Sequence, residues 1–400
     1  MSARPAALEQ TLEPFLTAGL RVTVRDSYLL LHDVPVVDSE RRLQVGVLVS
    51  TLIYTDSQVS PPATHQVWFE GPFPCFADGS AMEQLRSSEV AGGTVAPGVA
   101  ARFYFSNKPD GWTGYQTHFH QLMHYWRTIT DQARVLDPAC ARPVGCGSAA
   151  VAPKLGPFRY PDACSARGRF SLASDRLSNI TVAIVGLGGT GSYVLDQVAK
   201  TPVRDIHLFD GDTFELHNAF RAPGAAQESD FNTPKVAYYA TKYGAMHTGI
   251  VPHEAYVTAA NIALLGLFDF AFVCIDNGPA RREICSYLIA RGIPFIDCGM
   301  DLSMSSSQQI FGTCRVTLAT PANNQHFFER VPTMEEAGDA MYEANIQLAD
   351  ANALNAQLAV IRWKQHFGFY AMDWDWHHFE FAISSVGLAK AVSSKASNED

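Results

Sequence analysis

Apolar runs alternate with amphipathic stretches through the second half of the chain. Runs typical of buried strands are ITVAIVG, RDIHLFDGD, FDFAFVCID and IPFIDCGM. Stretches with helical spacing lie between them: GSYVLDQVAKT, PKVAYYATKYGAMH and GPARREICSYLIARG. Strands that alternate with helices at this spacing predict an α/β domain with a doubly wound, mostly parallel sheet and helices on both faces.

The first 150 residues follow a different pattern. A helical stretch at 8–16 precedes four strand-like runs, and an amphipathic helix is expected at 115–134. The runs lie at 20–31, 43–54, 65–71 and 101–106. Residues 139–162 are rich in Pro, Gly, Ala and Cys, which is typical of a domain boundary. We therefore predict a smaller α+β domain at 1–150 and a second domain at 163–400.

A long helix is expected at 342–370, where Ala, Leu and Asn are frequent and Gly368 supplies an end. Asn345, Asn352 and Asn355 are unusual inside a helix, because their side chains compete for backbone hydrogen bonds. They either face a polar interface or are satisfied amides within a packed helix.

Composition and charge exclude some functions. The net charge of −10 argues against sequence-independent binding to nucleic acid, which needs a basic surface. No apolar run is long enough to cross a bilayer, and the first residues lack the apolar segment of a signal peptide. The eight cysteines include no CxxC pair, which argues against a paired-cysteine zinc site. Reduced thiols in a cytoplasmic protein are the expectation.

A glycine-rich turn suggests a nucleotide site. Gly186, Gly188 and Gly191 fit the pattern GxGxxG, directly after a predicted strand and at the start of a predicted helix. Glycines let the backbone approach phosphates, and a helix N-terminus offers free N–H groups to anions. Asp210 ends the next strand, where a carboxylate can bind ribose hydroxyls. By itself this pattern suits a nicotinamide-dependent oxidoreductase and an ATP-using enzyme equally.

The residues after Asp210 favour ATP. Asn218, Arg221 and Lys235 follow the second strand, where the phosphates of a bound nucleotide would lie. Such polar and cationic groups suit a charge-stabilised displacement at phosphorus better than hydride transfer. Asp276, at the end of the strand FVCID, is positioned to hold Mg²⁺ on the phosphates.

Together these segments resemble the ThiF/MoeB/HesA family, the adenylation domain of ubiquitin-activating enzymes, over residues 163–370. The resemblance rests on the glycine turn, D-x-D-x-F-E-x-x-N-x-x-R, the following lysine and the strand-ending D-N with Arg281. It implies a Rossmann-like domain that uses ATP and Mg²⁺ to adenylate the C-terminal carboxylate of a ubiquitin-like protein. The residues it implies for binding the nucleotide are Gly186, Gly188, Gly189, Gly191, Asp210, Asp212, Arg221, Lys235, Asp276 and Asn277. The catalytic residues it implies are Asn218, Arg221, Lys235 and Asp276, with Asp276 as the magnesium ligand.

Each implied role has a structural alternative. The glycines could serve only strand–helix packing, Asn218 and Arg221 could form a surface cap and an ion pair, Lys235 could be solvated, and Asp276 could cap the next helix. Two departures from the family are visible: Ala222 stands where glutamine is common, and the paired-cysteine zinc site is missing. Members often take an arginine from a partner subunit before the first strand, which implies a homodimer and makes Arg167 a candidate.

Many relatives then transfer the activated carboxyl to a cysteine, usually in the crossover before the last helix. Residues 315–341 contain none, which leaves Cys314 as the candidate acceptor. Otherwise the reaction ends at the acyl-adenylate, a partner's nucleophile takes it, or a serine at 303–307 accepts it.

The overall layout resembles bacterial fusions encoded beside ubiquitin-like and conjugating-enzyme genes, some of them linked to phage defence. This implies a ubiquitin-like carrier and a conjugating-enzyme-like partner, with residues 1–150 as a docking or accessory domain of unknown role. Two other hypotheses remain open from the sequence: an NAD-dependent oxidoreductase and a non-catalytic nucleotide-binding scaffold.

Overall fold

The chain divides into two compact units in the computed structural model, which describes residues 5–87, 93–109, 111, 113–140, 147–151, 156–333 and 346–392. The first unit comprises Met1–Leu155 with Tyr160–Asp175, and the second comprises Gly156–Arg159 with Arg176–Asp400. Among the helices of these described residues, none is long and apolar enough to cross a membrane.

The first unit is an α+β domain. Its helices are α1 (Ala6–Thr17), α2 (His118–Leu136), α3 (Ala163–Gly168) and α4 (Ser171–Asp175). Its strands are β1 (Arg21–Arg25), β2 (Tyr28–Val37), β3 (Leu43–Thr51), β4 (Val67–Glu70), β5 (Gly93–Ala96), β6 (Val99–Ala101), β7 (Phe103–Phe105) and β8 (Ser148–Val151). The main sheet has the order β7-β4-β3-β2-β1-β8, and β5 pairs with β6.

Local chemistry explains two boundaries in this unit. The run 20–31, expected as one strand, is two, because Asp26 takes a positive φ of 48° between β1 and β2. Helix α2 starts after Thr117, whose side-chain oxygen accepts a hydrogen bond from the His120 N–H at 3.2 Å.

The second unit carries the nucleotide-binding pattern. Its helices are α5 (Gly189–Val198), α6 (Leu216–Ala219), α7 (Lys235–Gly244), α8 (Gly278–Arg291), α9 (Phe327–Arg330) and α10 (Ala349–His366). Its strands are β9 (Thr181–Val185), β10 (Asp205–Phe209), β11 (Thr213–Phe214), β12 (Thr233–Pro234), β13 (Ile250–His253), β14 (Phe270–Val273), β15 (Phe295–Met304), β16 (Ile310–Ala319), β17 (Trp376–Ala382) and β18 (Gly387–Val392).

One eight-stranded sheet organises this unit, with the order β13-β10-β9-β14-β15-β16-β17-β18. Every pairing from β13 to β15 is parallel, and every pairing from β15 to β18 is antiparallel. The predicted fold class is therefore confirmed: a doubly wound, mostly parallel sheet preceded by a smaller α+β domain. The antiparallel extension was not predicted.

Alternate residues of β9 enter two cores on opposite faces of the sheet. Val182 and Ile184 pack with α5, α7 and α10, whereas Ala183 and Val185 pack with α8 and α9. From β9 the chain moves to β10 on one side and later to β14 on the other. The order of the strands thus reverses beside β9, and such a point opens a crevice at the carboxyl ends of the strands.

Helix α10 is shorter than the expected helix at 342–370, since it spans Ala349–His366. Gly368, with φ of 71°, follows its end as predicted. Asn345 lies outside the described residues. Asn352 and Asn355 are both buried in α10.

Candidate active site

The three glycines of the GxGxxG pattern have different surroundings. A Cβ on Gly191 would lie 1.9 Å from the Gly186 carbonyl oxygen, so this position admits no side chain without moving the backbone. Gly186 has a φ of 90°, and its Cβ would lie 2.6 Å from the Cys274 carbonyl oxygen. No heavy atom lies within 4 Å of a Cβ built on Gly188. Gly186 and Gly191 thus allow close packing, and Gly188 borders open space.

That open space is a cavity of about 740 Å³ at the carboxyl ends of the central strands. Its size lies within the range of small-molecule sites. The predicted site residues that line it are Gly186, Gly188, Gly189, Asp210, Asp212, Arg221, Lys235, Asp276 and Asn277. The predicted site residues that are not part of its lining are Gly191, Asn218, Arg167 and Cys314.

Asp210 joins the end of β10 to the glycine turn. Its carboxylate accepts hydrogen bonds from the Leu187 N–H at 2.7 Å and from the Asp212 N–H at 2.8 Å. Burial raises the pKa of Asp210, although the neighbouring Lys235 opposes this shift.

Lys235 is buried at the start of α7 and faces two carboxylates. Its Nζ lies 2.6 Å from Asp212 Oδ2 and 3.8 Å from Asp210 Oδ1. Burial acts to raise the pKa of Asp212, but hydrogen bonds from Lys235 and Tyr256 outweigh it, and the pKa is lowered. Because only 5% of Lys235 is exposed, the alternative of a solvated helix residue is wrong.

Arg221 and Asn218 follow β11 but occupy different environments. Arg221 lines the cavity, and its Nε is buried without a hydrogen-bond partner. Asn218 is buried in α6, where its Oδ1 accepts a hydrogen bond from the Glu215 N–H at 2.8 Å. The amide oxygen thus forms part of a capping box, and the expectation that Asn218 contacts phosphates stays a prediction.

The loop after β14 supplies Asp276 and Asn277. Asp276 is exposed and lines the cavity. Asn277 caps α8, because its Oδ1 accepts a hydrogen bond from the Ala280 N–H at 2.8 Å. The N-cap of α8, which we considered as a role for Asp276, is therefore Asn277.

A magnesium ion fits this loop only with help from a nucleotide. Within the described ranges, no group of three or more His, Cys, Asp or Glu side chains is arranged to hold a metal. Mg²⁺ is commonly bound through one or two carboxylates together with substrate phosphates. The exposed carboxylate of Asp276 is compatible with that mode.

Sequence reasoning missed a buried ion-pair cluster in the cavity wall. Asp297 is fully buried in β15, with Arg281 Nε at 3.0 Å and Arg315 Nη2 at 3.0 Å. Arg281 and Arg315 line the cavity and Asp297 lies behind them, so two cations face one anion and the cluster itself carries an excess of positive charge. The signal was an acidic residue inside the apolar run IPFIDCGM, which we assigned only to a strand.

Helix α10 contributes two buried amides at the same end of the sheet. Asn352 lines the cavity, and its Oδ1 accepts a hydrogen bond from the Thr190 hydroxyl at 2.9 Å. Asn355 Nδ2 donates to the Gly299 carbonyl oxygen at 2.9 Å. Each amide therefore connects α10 to a neighbour through one of its two polar atoms. Asn352 Nδ2 and Asn355 Oδ1 are buried without a hydrogen-bond partner, so the alternative of satisfied amides holds for only half of each group.

The candidate acyl acceptor is not suited to that role. Cys314 is fully buried in β16 with its thiol directed at the Ala351 carbonyl oxygen, and burial raises its pKa to about 11. A nucleophilic thiol needs access and a low pKa, so the expectation for Cys314 is corrected. Among the candidate serines, Ser305 and Ser307 hydrogen-bond to each other at 2.9 Å, and neither lines the cavity.

Arg167 is exposed on α3 in the first unit. The idea that it acts in a partner subunit stays a prediction.

Comparison with known proteins assigns both parts of the chain. Residues 10–163 match the model of a domain of unknown function, DUF6791, and residues 166–338 match the model of the ThiF family. Molybdopterin-synthase adenylyltransferase of Escherichia coli K12 is 28% identical over 157 residues, which is 38% of this chain and 62% of that protein. Ubiquitin-like modifier-activating enzyme 5 of Culex quinquefasciatus is 27% identical over 125 residues, which is 28% of this chain and 31% of that protein.

These alignments cover less than two thirds of the relatives' own lengths. A solved structure of E. coli MccB with MccA-N7isoASN has a TM-score of 0.48 and 16% sequence identity, and the match covers 58% of this chain and 72% of that one. Residues 166–338 of this chain are thus a ThiF family domain, preceded by a DUF6791 domain.

Proposed function

We propose that this protein is an ATP- and Mg²⁺-dependent adenylyltransferase that activates the C-terminal carboxylate of a ubiquitin-like protein. One observation carries the proposal: a single cavity joins the glycine turn, the cations Arg221 and Lys235, and the exposed carboxylate of Asp276. The names of the relatives support the substrate class, because they include an adenylyltransferase and a ubiquitin-like modifier-activating enzyme.

The lining of the cavity provides a distinct contact for each part of ATP. Val185, Phe209, Val257 and Ile275 offer an apolar wall for a flat base. The free N–H groups at the start of α5, a helix of ten residues, face the position proposed for the phosphates. Asp210 lines the same cavity beside the glycine turn, where its carboxylate can accept hydrogen bonds from ribose hydroxyls.

The proposed reaction is attack by a carboxylate oxygen of the carrier on the α-phosphorus of ATP. A new O–P bond forms, the bond to the bridging oxygen breaks, and pyrophosphate leaves. Arg221 and Lys235 stabilise the charge that develops on the phosphates, and the unpartnered Nε of Arg221 has no internal bond to give up. Mg²⁺ held by Asp276 supplies Lewis-acid stabilisation of the same phosphates when it is bound.

The partners of this reaction are also proposals. A conjugating-enzyme-like protein would receive the activated carrier, because Cys314 is buried and neither Ser305 nor Ser307 lines the cavity. A homodimer with Arg167 acting in the partner subunit, and a role in phage defence, follow from the family resemblance alone.

Pyrophosphate–ATP exchange tests the proposal. Ubiquitin-like proteins are added with a free C-terminal carboxylate or with a C-terminal amide, and only the carboxylate form should support exchange. Arg221→Ala should reduce exchange by about 10²–10³-fold, the usual cost of removing one group that stabilises transition-state charge. Arg291→Ala, an exposed arginine outside the cavity lining, is the matched control and should retain exchange.

Other outcomes favour the two remaining hypotheses. Enhanced NADH fluorescence without exchange would indicate an oxidoreductase. ATP binding without exchange, across a panel of carriers, would indicate a nucleotide-binding scaffold.

A further inference from the structure

Two cysteines lie close together beside the glycine turn: Cys274 directly follows β14, and Cys298 lies in the neighbouring parallel strand β15. The register of β14 and β15 pairs Val273 with Asp297, so the next residues, Cys274 and Cys298, are the following opposed pair. Both side chains pack in the core that contains α5 and α10, and both line the cavity. The two thiols are close enough to interact, since Cys274 raises the pKa of the Cys298 thiol.

This arrangement meets the main distance requirement for a disulfide. Neighbouring strands lie about 4.8 Å apart, and Cα atoms joined by a disulfide are usually about 4.4–6.8 Å apart. Cys274 follows the last residue of β14, and the two side chains share one face of the sheet. Residues that are opposed across neighbouring strands are therefore within the usual Cα range of a disulfide.

Cys274 is in direct contact with the glycine turn. The Cys274 carbonyl oxygen lies 2.6 Å from a Cβ built on Gly186. The Cys274 Cβ lies 3.2 Å from a Cβ built on Gly191. The next residues along the chain are Ile275 and Asp276, which line the cavity. A shift of the Cys274 backbone toward Cys298 would therefore displace the turn and this loop.

We propose that Cys274 and Cys298 form a redox-sensitive dithiol whose oxidation to a disulfide distorts the cavity and weakens nucleotide binding. The formation of the disulfide is independent of the enzyme's activity. Its effect on ATP rests on the function proposed above.

Hydrogen peroxide is the oxidant in this proposal. The thiolate of Cys274, half-buried at the cavity, attacks one peroxide oxygen, which gives a sulfenic acid and, after protonation, water. Cys298 then attacks the Cys274 sulfur, loses its proton and displaces a second water. Two electrons pass from the thiols to the peroxide. The interaction with Cys274 and burial raise the pKa of Cys298, which disfavours its thiolate and makes Cys274 the first of the two to react.

The first test is chemical and needs no substrate. The full chain is treated with hydrogen peroxide and digested with trypsin without reduction, with and without ATP and Mg²⁺. A disulfide should link peptide 243–281 to peptide 292–315, with fragmentation assigning it to Cys298 rather than Cys314. Bound ATP should slow the formation of this link, because it would occupy the cavity that Cys274 lines and limit the access of peroxide.

The second test measures the consequence by calorimetry of ATP and Mg²⁺ binding. Oxidation should weaken the affinity of the wild type by about 5- to 150-fold, the usual span of such coupling, and dithiothreitol should restore it. Each variant is compared with itself before and after oxidation. For Cys298→Ala, the ATP affinity before and after oxidation should be nearly equal. Cys164→Ala, which removes an exposed thiol on α3, should lose affinity as the wild type does.

Two results would overturn the proposal: absence of the cross-linked peptides after oxidation, or an equal loss of affinity in Cys298→Ala and the wild type. A disulfide that forms in a protein that does not bind ATP would instead refute the proposed function, because the two measurements are separate.

Discussion

At the scale of single residues, two glycines of the turn have different roles, one in packing and one in the proposed binding of the ligand. Only glycine fits at position 191, because a Cβ there would lie 1.9 Å from the Gly186 carbonyl oxygen. Gly188, by contrast, faces the cavity with no neighbour within 4 Å of a Cβ. Two glycines three residues apart thus serve the fold and the ligand respectively.

Substitution of these two glycines by alanine should have opposite consequences. Gly191→Ala should lower the free energy of unfolding by at least about 1–3 kcal/mol, the usual cost of overpacking, because no side-chain rotation relieves a clash with backbone. Gly188→Ala should leave the unfolding free energy unchanged and weaken ATP binding, because its methyl group enters the space proposed for the phosphates. Urea unfolding and calorimetry measure the two quantities, and equal destabilisation by both substitutions would contradict this account.

At the scale of secondary-structure elements, α10 is tied to the active site by amides rather than by apolar contacts alone. Asn352 bonds to Thr190 near the start of α5, and Asn355 bonds to Gly299 in β15. Buried polar groups are costly unless they are paired, so these two bonds specify the position of the helix relative to the sheet.

Asn355→Leu should destabilise the protein by about 1–3 kcal/mol, because it leaves the Gly299 carbonyl oxygen without its partner. Gln357→Leu, on the exposed side of the same helix, is the control and should change stability by less than about 0.5 kcal/mol. Urea unfolding monitored by circular dichroism measures both. A neutral Asn355→Leu would show that the amide has no role in holding the helix.

At the scale of the whole molecule, each unit has its own hydrophobic core and its own buried titratable groups. In the first unit, His118 is buried at the start of α2, and its Nε2 lies 3.0 Å from the Ser60 carbonyl oxygen. Burial lowers the pKa of His118 from 6.5 to about 4, despite that hydrogen bond. This histidine is therefore neutral in the folded protein at neutral pH.

Acid should destabilise the first unit through His118. Between pH 6.5 and about 4 the unfolded chain takes up a proton that the folded chain does not, so stability falls as the pH falls. The loss should be on the order of 3 kcal/mol, at about 1.36 kcal/mol for each pKa unit. Urea unfolding at several pH values measures it.

His118→Gln should flatten this pH dependence, and His120→Gln should not, because His120 is exposed on the same helix. An unchanged slope in His118→Gln would show that other groups cause the acid sensitivity.

The sequence by itself determined the fold class and much of the cavity lining. Alternating strand and helix periodicities and the glycine turn are local signals, and parallel strands bring their carboxyl ends together. For that reason residues as far apart as Gly186 and Asp276 were predicted as neighbours, and both line one cavity.

Only the tertiary structure decided which side chains reach the cavity and which pair with each other. Arg221 lines it, whereas Asn218, three residues earlier, caps a short helix. The cluster of Asp297 with Arg281 and Arg315, and the opposed thiols of Cys274 and Cys298, depend on the register between strands that are distant in the chain. Such register is fixed by long-range packing of the whole sheet, which a local sequence pattern does not encode.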